Sequence, residues 1–571
     1  MDKTGVAHVL DQFASLLELK GETPFRVRAF RTASRAVAGL PGVLDEALAD
    51  GSLRATRGIG PAILAMVTDL ATTGRSAAYE QLRAETPPGL VEMLAISGLG
   101  VTKARRIHER LGIDSLAELE AAARDGRLAA IPGFGKRSAE NILRGLRFLR
   151  RASTVRLVHH AVREATDLEA ALGHIPGVLR VITAGDLRRR MEIVRDLVMV
   201  LVAETPPAEV FGRLAQVPGI DEFAGQDERR ATLRLAVGTA VQVVVTSPAN
   251  LGAVLVLATG SRNHVAQLAA RALTRGYALH GAGFWRGSEF VPTPDEGTLY
   301  RALGLPEIPP ELREGAGELE LVELPRLVQT SDVRGFLHCH TDFSDGSSSI
   351  EDLTRAVRQA GYQYLGITDH SSSAAYAGGL RREDLERQWA EVDRVNGTVG
   401  GIRVLKGVEV DILPDGRLDY GPDVLGRLDF VIASLHDDGG LSRVEMTDRV
   451  LRAMDNPYLT IWGHPTGRTL DGRDPYPMDL EPLFARAAER GIAVEINADP
   501  HRMDLDWRYL RAARAAGAMI SIGADAHSTA GLAHMEFGVG LARKGWLGPE
   551  AILNTRSLEE FLAFARVRRP R

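Results

Sequence analysis

The apolar positions of this chain follow one spacing near the N-terminus and another near the C-terminus. The opening segment, MDKTGVAHVLDQFASLLELKGE, has the three- and four-residue spacing of an amphipathic helix. After residue 335, short apolar runs alternate with helical stretches such as 349–360 and 480–490. Strands that alternate with helices and carry polar residues at their carboxyl ends predict a (β/α) barrel.

The most apolar stretch, 235–258, is interrupted by Gln242, Ser247, Pro248 and Asn250. These interruptions predict a strand, a turn and a helix start, and they argue against a membrane span. The N-terminal helix lacks the apolar core and cleavage site of a signal peptide. One cysteine excludes an intramolecular disulfide and favours a reducing compartment. We therefore expect a cytoplasmic protein with no membrane partner, and a monomer by default.

Length and charge divide the chain further. Its 571 residues exceed one hydrophobic core and predict several domains. Residues 1–151 hold 22 Lys and Arg against 17 Asp and Glu, whereas the remainder holds 47 against 57. A basic front and an acidic back suit a DNA-holding half joined to a metal-binding half.

Three N-terminal segments each place an apolar residue between two glycines, at separations of 40 and 35 residues. Glycine permits the tight turn, and the free N–H groups of the following helix face a phosphate. This helix-hairpin-helix pattern predicts contacts to the DNA backbone without sequence preference. The alternative is three ordinary turns with glycine caps. The predicted DNA-binding set is Gly58, Gly60, Gly98, Gly100, Lys103, Gly133, Gly135, Lys136 and Arg137.

The C-terminal part places metal-ligand residues at the ends of apolar runs. His338 with His340, and Asp525 with His527, stand at i and i+2, which on a strand puts each pair on one face. Such a set predicts a multinuclear metal site, although a lone histidine is more often a packed one. Mixed nitrogen and oxygen ligands favour two or three Mn²⁺ or Zn²⁺ ions, with Fe²⁺ as a further candidate. The predicted ligands are His338, His340, Asp345, His370, Glu409, His436, His464, Asp525 and His527.

The order of motifs resembles that of bacterial family X DNA polymerases of the PolX type, over residues 5–568. The resemblance rests on segment 25–29 (FRVRA), the three hairpins, and segments 185–189 (GDLRR), 259–261 (TGS) and 276–280 (GYALH). It implies a multidomain α/β chain with helical hairpin domains, an α+β nucleotidyltransferase-like palm and thumb, and a distorted (β/α)7 PHP barrel. The implied domains are an 8 kDa-like hairpin domain (1–80), fingers (81–152), palm (153–251), thumb (252–314), a linker (315–334) and a PHP phosphoesterase domain (335–571).

The resemblance also implies a degenerate polymerase site. The family carries Asp-x-Asp on one palm strand and a third Asp on a neighbour. Here Asp196 remains, its i+2 partner is Val198, and the third position is Gln242, with Val241 as the alternative. Asp186 replaces a serine of the phosphate-binding motif, in which Arg188 and Arg189 survive as remnants.

A further departure concerns the first domain. The lysine that forms a Schiff base in eukaryotic relatives is replaced by Met66, so lyase activity is not expected.

In the PHP domain, the resemblance assigns His338, His340, Glu409 and Asp525 to one metal. It assigns Glu409, His436 and His464 to a second, and Asp345, His370 and His527 to a third. Such ions would produce hydroxide near neutral pH as the nucleophile. Arg468 and Arg502 are either phosphate clamps or salt bridges at the barrel rim.

The leading hypothesis is therefore a 3′–5′ exonuclease of DNA repair, with AP-site or 3′-end processing as related activities. Its DNA would be gapped, nicked or single-stranded at the 3′ end. The alternatives are an active gap-filling polymerase and a phosphatase of the histidinol phosphate type.

Overall fold

The computed structural model describes residues 3–569 except 39, 41–43, 50, 57, 95, 97–98, 136–137, 144, 147–155, 237, 282 and 438. Two compact units divide the chain, Met1–Ser153 and Thr154–Arg571.

The first unit is helical around one apolar core, in which the rings of Phe13 and Phe30 lie 4.7 Å apart. Helices begin directly after Gly60 and Gly100, as the glycine pattern predicts. The described helices are Lys3–Leu19, Pro24–Ala38, Leu44–Ala49, Ser52–Ala55, Pro61–Thr73, Ala77–Ala84, Pro88–Met93, Val101–Leu111 and Leu116–Arg124, with a 3-10 turn at Leu128–Ala130.

The second unit starts with a mixed five-stranded sheet. Its strands are β2 (Val178–Ala184), β4 (Leu197–Ala203), β5 (Ile220–Gln226), β6 (Arg230–Leu235) and β7 (Ala240–Thr246), in the order β2-β4-β7-β6-β5. Only β4 and β7 are parallel neighbours. Two short strands, β1 (Arg156–Leu157) and β3 (Ile193–Val194), pair separately. The helices here are Val158–Gly173, Gly185–Arg188 and Pro207–Leu214.

Next come a three-stranded antiparallel sheet and its helices. The strands are β8 (Ala278–His280), β9 (Gly283–Arg286) and β10 (Glu289–Phe290), and the helices are Leu251–Thr259, Arg262–Thr274 and Glu296–Ala302. The predicted strand, turn and helix start in 235–258 are confirmed as β7, a 3-10 turn at Pro248–Asn250, and helix Leu251–Thr259.

The segment 315–334, predicted as a linker, is packed against the unit. Glu318 is buried and its carboxylate lies 2.6 Å from the Nδ1 atom of His264, while Leu319 and Leu327 join the apolar core of the preceding segment. Short 3-10 turns occur at Pro310–Leu312, Glu318–Glu320 and Thr330–Asp332. The connection is therefore anchored at a few buried residues, while others such as Val322 are exposed.

The C-terminal part is a curled, all-parallel sheet. Its strands are β11 (Gly335–Cys339), β12 (Tyr364–Ile367), β13 (Arg403–Lys406), β14 (Glu409–Asp411), β15 (Ile432–Ser434), β16 (Ile461–Trp462), β17 (Ala493–Asn497) and β18 (Met519–Ala526). Their order is β13-β12-β11-β18-β17-β16-β15-β14. Because only Gly407 and Val408 separate the two end strands, the sheet curls back on itself with seven strand positions, as expected for the distorted barrel.

Helices cover the outside of this sheet, and apolar side chains fill its interior. Six strands contribute one residue each to a buried cluster that includes Phe430 and, from the last helix, Phe561. The helices are Ile350–Gln359, Arg382–Thr398, Pro422–Leu425, Arg443–Met454, Leu480–Arg490, Trp507–Ala515, Met535–Lys544 and Leu558–Arg566, with 3-10 turns at Ala375–Ala377, Thr529–His534, Pro549–Ala551 and Leu553–Thr555. This packing leaves the carboxyl ends of the strands free to carry polar residues.

Candidate functional site

All nine predicted ligand residues converge at the carboxyl end of the curled sheet. Eight of them form three overlapping groups whose nitrogen and oxygen atoms lie within 4.8 Å of one another in each group. The ninth, His464, places Nε2 2.9 Å from Glu409 Oε1. The groups are His340, Asp345, His370 and His527; His338, His340 and Asp525; and His370, Glu409 and His436.

The backbone reaches this geometry by leaving regular strand conformation. His338, His464 and Asp525 have φ values of 63°, 22° and 49°, in or near the left-handed region that non-glycine residues rarely occupy. The pairing of β11 with β18 is also irregular between Leu337 and Cys339. His338 and His340 reach one group, as their i and i+2 spacing predicts, although the backbone between them is not a regular strand. Strained backbone of this kind is concentrated at functional sites, where the surrounding structure holds it in place.

Glu409 lies at the centre of the cluster. Burial disfavours its ionised form, but the nearby His338 and His370 outweigh burial and hold the pKa of Glu409 well below its usual range. Its carboxylate is therefore charged at neutral pH and suited to bridge two cations. Five imidazoles approach it, with the distances 2.9 Å from His464 Nε2, 3.0 Å from His370 Nδ1, 3.5 Å from His338 Nε2, 3.6 Å from His436 Nε2 and 3.7 Å from His340 Nε2.

Several buried imidazole nitrogens in this cluster have no hydrogen-bond partner within the part of the chain that the structure describes. They belong to His338, His340, His370 and His464. A buried polar atom without a partner costs free energy, so native proteins rarely leave several together. Those of His338, His340 and His370 face Glu409 at 3.0–3.7 Å and fit the donor set of divalent cations. In His464 the unpartnered nitrogen is Nδ1, because Nε2 already lies 2.9 Å from Glu409.

Two further carboxylates orient the candidate ligands, and sequence reasoning missed both. Glu495 Oε1 lies 2.6 Å from His338 Nδ1, and its Oε2 accepts the backbone N–H of His464 at 2.7 Å. Asp411 Oδ1 lies 2.6 Å from His436 Nδ1. Carboxylates in these positions fix which ring nitrogen remains for a metal.

A sequence signal for both residues existed. Asp411 stands at i+2 from Glu409, and Glu495 is a charged residue inside the apolar strand β17. Gly523 makes room for Glu495, because a Cβ atom there would lie 1.9 Å from Glu495 Oε1.

The two candidate arginine clamps differ. Arg468 is buried, and its guanidinium group already donates to groups of the protein: Asp506 at 2.6 Å and the backbone carbonyls of Arg502 and Met503. It braces the loop 499–506, which corresponds to the salt-bridge alternative. Arg502 instead faces the cluster: its Nε lies 3.7 Å from Asp525 Oδ2, and its buried Nη1 has no hydrogen-bond partner among the described residues.

The five-stranded sheet holds the predicted remnants of the polymerase site. Val198 and Gln242 are neighbours in the parallel register of β4 and β7, and Gln242 Nε2 donates to Asp196 Oδ2 at 3.0 Å. Val241, the alternative position, is fully buried. An amide therefore occupies the place beside Asp196, and a cavity of about 120 Å³ lined partly by Val198, Gln242 and Arg230 lies next to it.

Both arginines of the GDLRR segment form ion pairs within the protein. Arg188 donates to Glu296 at 2.8 and 2.6 Å. Arg189 donates to Asp186 at 2.6 Å and to Glu314 at 2.9 Å. Buried Lys544 of the C-terminal part also contacts Glu314. The two guanidinium groups that were predicted to bind phosphate are thus paired with carboxylates of the protein itself.

Comparison with known proteins gives the following matches. Family models for a helix-hairpin-helix domain (1–76), a SAM-like helix-hairpin-helix tandem (90–147), a DNA polymerase beta thumb (254–314) and a PHP domain (337–460) match the chain. DNA polymerase/3′-5′ exonuclease PolX of Bacillus subtilis (strain 168) is 34% identical over 569 residues, which is 99% of each chain. The chain belongs to the PolX family.

Other relatives match only the PHP part of this PolX-family chain. A probable phosphatase of Caldicellulosiruptor bescii is 31% identical over 247 residues, covering 40% of this chain and 94% of the relative. A probable phosphatase of Shewanella oneidensis is 29% identical over 202 residues, covering 33% and 75%. The PHP match and the buried ligand clusters together indicate divalent metal binding.

The hairpin and thumb domains of the PolX family imply DNA binding. Gly58 and Gly133 have φ values of 98° and 88°, as a tight glycine turn requires. Gly98, Lys136 and Arg137 lie outside the described residues. Lys103 is on helix Val101–Leu111, and Gly135 accepts a backbone hydrogen bond from Ala139.

Two remaining predictions concern Met66 and the membrane. Met66 is buried in the core of the first unit, at the position predicted to lack a lyase nucleophile. Among the described residues, no helix is both long and apolar enough to span a bilayer.

Proposed function

We propose that this chain is a metal-dependent phosphodiesterase that removes nucleotides from DNA 3′ ends, with its chemistry in the PHP domain. The observation that carries the proposal is the set of buried, unpartnered imidazole nitrogens around the ionised Glu409. The PolX relative is named as a 3′-5′ exonuclease, which agrees in reaction type.

The metal ligands would be the nine residues that converge at the sheet end. Two or three divalent cations fit this set, with Mn²⁺ or Zn²⁺ first and Fe²⁺ next, because six imidazoles and three carboxylates form a mixed nitrogen and oxygen donor set. When bound, such cations activate water near neutral pH and offset charge on the phosphoryl oxygens. The three atom groups resemble the three sites that the family resemblance implies but differ in membership. His340 is added to the Asp345 group, Glu409 is missing from the His338 group, and His370 stands in place of His464 in the Glu409 group.

The protein's own residues position the phosphodiester. Arg502 is the proposed clamp: burial opposes its charge, but Asp525 and Glu409 outweigh burial and raise the pKa of Arg502. A guanidinium that stays charged, with a free Nη1 inside the site, suits a non-bridging phosphate oxygen. Glu495 and Asp411 hold His338 and His436 in one orientation, so the site is preorganised.

We further propose that the polymerase-like part binds DNA without adding nucleotides. Two-metal nucleotidyl transfer needs a cluster of carboxylates, and here Asp196 faces an amide and a valine. Asp186 and Glu314 occupy Arg189, which removes a partner for the triphosphate. The expected substrates are gapped, nicked or single-stranded 3′ ends, which the hairpins would hold. The enzyme would act in the cytoplasm as a monomer.

The test is degradation of a 3′-labelled single-stranded oligonucleotide by the full-length protein with Mn²⁺. Cleavage should proceed from the 3′ end and be lost in Glu409→Gln, while the exposed control Glu481→Gln on helix Leu480–Arg490 keeps full activity. Cleavage retained in Glu409→Gln would refute the assignment.

Two alternative functions can be tested with different substrates. Primer extension across a one-nucleotide gap, sensitive to Asp196→Ala, would establish a working polymerase. The probable-phosphatase relatives favour a second candidate, a small-molecule phosphatase. Hydrolysis of histidinol phosphate with a kcat/KM far above that for DNA would establish it instead.

A further inference from the structure

We propose that Tyr376 recognises the 3′-terminal nucleotide by stacking its ring on the terminal base. This inference rests on the proposed exonuclease function and names a residue that determines what the site accepts. It starts from an exposed aromatic ring at the rim of the metal cluster. Tyr376 is 72% exposed, whereas the ligands it adjoins are buried or nearly so.

The position of the ring suits a base attached to a phosphate in the cluster. Its centroid lies 6.2 Å from the ring of His370 and 6.0 Å from that of His436. Both histidines belong to the group around Glu409, so a phosphate held there has its own nucleoside within reach of Tyr376. Since the ring faces solvent on its outer side, a flat apolar partner can cover it.

The loop that carries Tyr376 is fixed at its base. A β-bridge joins Ser371 to Leu380, and Ala374 donates its backbone N–H to Ser371 at 3.0 Å. Ser373 Oγ donates to Asp411 Oδ2 at 2.8 Å, and Asp411 also orients His436. One carboxylate therefore ties the Tyr376 loop to a candidate ligand, which sets the height of the ring above the cluster.

The ring of Tyr376 offers an exposed π-face beside the cluster. Stacking on a neutral ring tolerates every base, because each base has a π-face, and this matches hairpins that hold the backbone without reading sequence.

The test compares two oligonucleotides that differ only at the last residue, thymidine or a tetrahydrofuran abasic residue, with the full-length enzyme and Mn²⁺. The wild type should cleave the thymidine end with a kcat/KM about tenfold above that of the abasic end. Tyr376→Ala should lose that preference by slowing only the thymidine substrate, whereas Tyr376→Phe should keep it. Tyr509→Ala, which removes another exposed tyrosine, is the matched control and should behave as the wild type.

A second readout needs no catalysis. With Mn²⁺ present and a cleavage-resistant phosphorothioate as the last linkage, a 3′-terminal 2-aminopurine oligonucleotide should lose fluorescence on binding the wild type and Tyr376→Phe, and not on binding Tyr376→Ala. Loss of the preference in Tyr376→Phe would make the hydroxyl, and not the ring, the active feature and would overturn the inference. Equal cleavage of both ends by the wild type would also overturn it. Failure to cleave either oligonucleotide would instead refute the proposed exonuclease function.

Discussion

Replacing Glu495 by glutamine should weaken metal binding without touching any candidate ligand. Glu495 is fully buried on β17 and receives three donors: His338 Nδ1 at 2.6 Å, the backbone N–H of His464 at 2.7 Å and Asn497 Nδ2 at 3.4 Å. Glutamine has nearly the same shape but one acceptor oxygen. Its NH₂ group must therefore face either His338 or the pair formed by the His464 backbone N–H and Asn497.

The size of the effect follows from those contacts. Loss of a hydrogen bond to a charged partner costs about 1.5–3 kcal/mol. Outer carboxylates typically change metal affinity by about 10–100-fold, which is about 1.4–2.8 kcal/mol. The two estimates agree, so we expect a decrease in Mn²⁺ or Zn²⁺ affinity within that range.

The assay is calorimetric titration of metal-stripped, full-length protein with Mn²⁺ or Zn²⁺. Glu489→Gln is the matched control. Glu489 is exposed on helix Leu480–Arg490, so this variant makes the same chemical change at the protein surface. A dissociation constant for Glu495→Gln within about twofold of the wild type would refute an orienting role for this carboxylate.

Three further predictions concern other parts of the second unit. Burial and the neighbouring imidazoles lower the pKa of His159 in the folded protein to about 4. In the unfolded state the same side chain has its ordinary pKa of about 6.5, so below pH 6.5 the unfolded state binds more protons than the folded state. The stability of the wild type relative to His159→Phe should thus fall between pH 6.5 and 4, by at most about 3 kcal/mol in urea unfolding; a pH-independent difference would contradict this. Lys544→Met leaves Glu314 without one of its cations and should lower the free energy of unfolding by about 3 kcal/mol, and an unchanged urea midpoint would argue against it. Arg502→Ala should reduce kcat about 100-fold in steady-state DNA cleavage, with partial recovery in Arg502→Lys; a change in KM alone would count against the clamp.

The ion pairs around Arg189 give the polymerase-like part a structural role. Asp186, Glu314 and Lys544 come from segments far apart in sequence, and their contacts connect the five-stranded sheet to the barrel through buried charges. Removing one partner of such a network is costly. Arg189 therefore has a structural role that does not depend on binding a nucleotide.

Much of the site was predictable because metal chemistry restricts residue types. The nine candidate ligands stand at strand ends in the sequence, and alternating strands and helices predict that such ends meet. The number of seven strand positions was implied by the family resemblance and not by this pattern. The charge of Glu495 inside an apolar strand was a usable signal, yet its partners were not readable, because His338 lies 157 positions away along the chain.

The sequence by itself determined the domain order, the barrel class and the residues available for metal binding, since periodicity and side-chain chemistry are local properties. Only the tertiary structure decided the left-handed backbone of His338 and Asp525, the commitment of Arg468 to Asp506, and the free Nη1 of Arg502. Each of these depends on which distant groups lie within a few ångströms. That proximity is set by packing, and packing is not encoded in the spacing of any one segment.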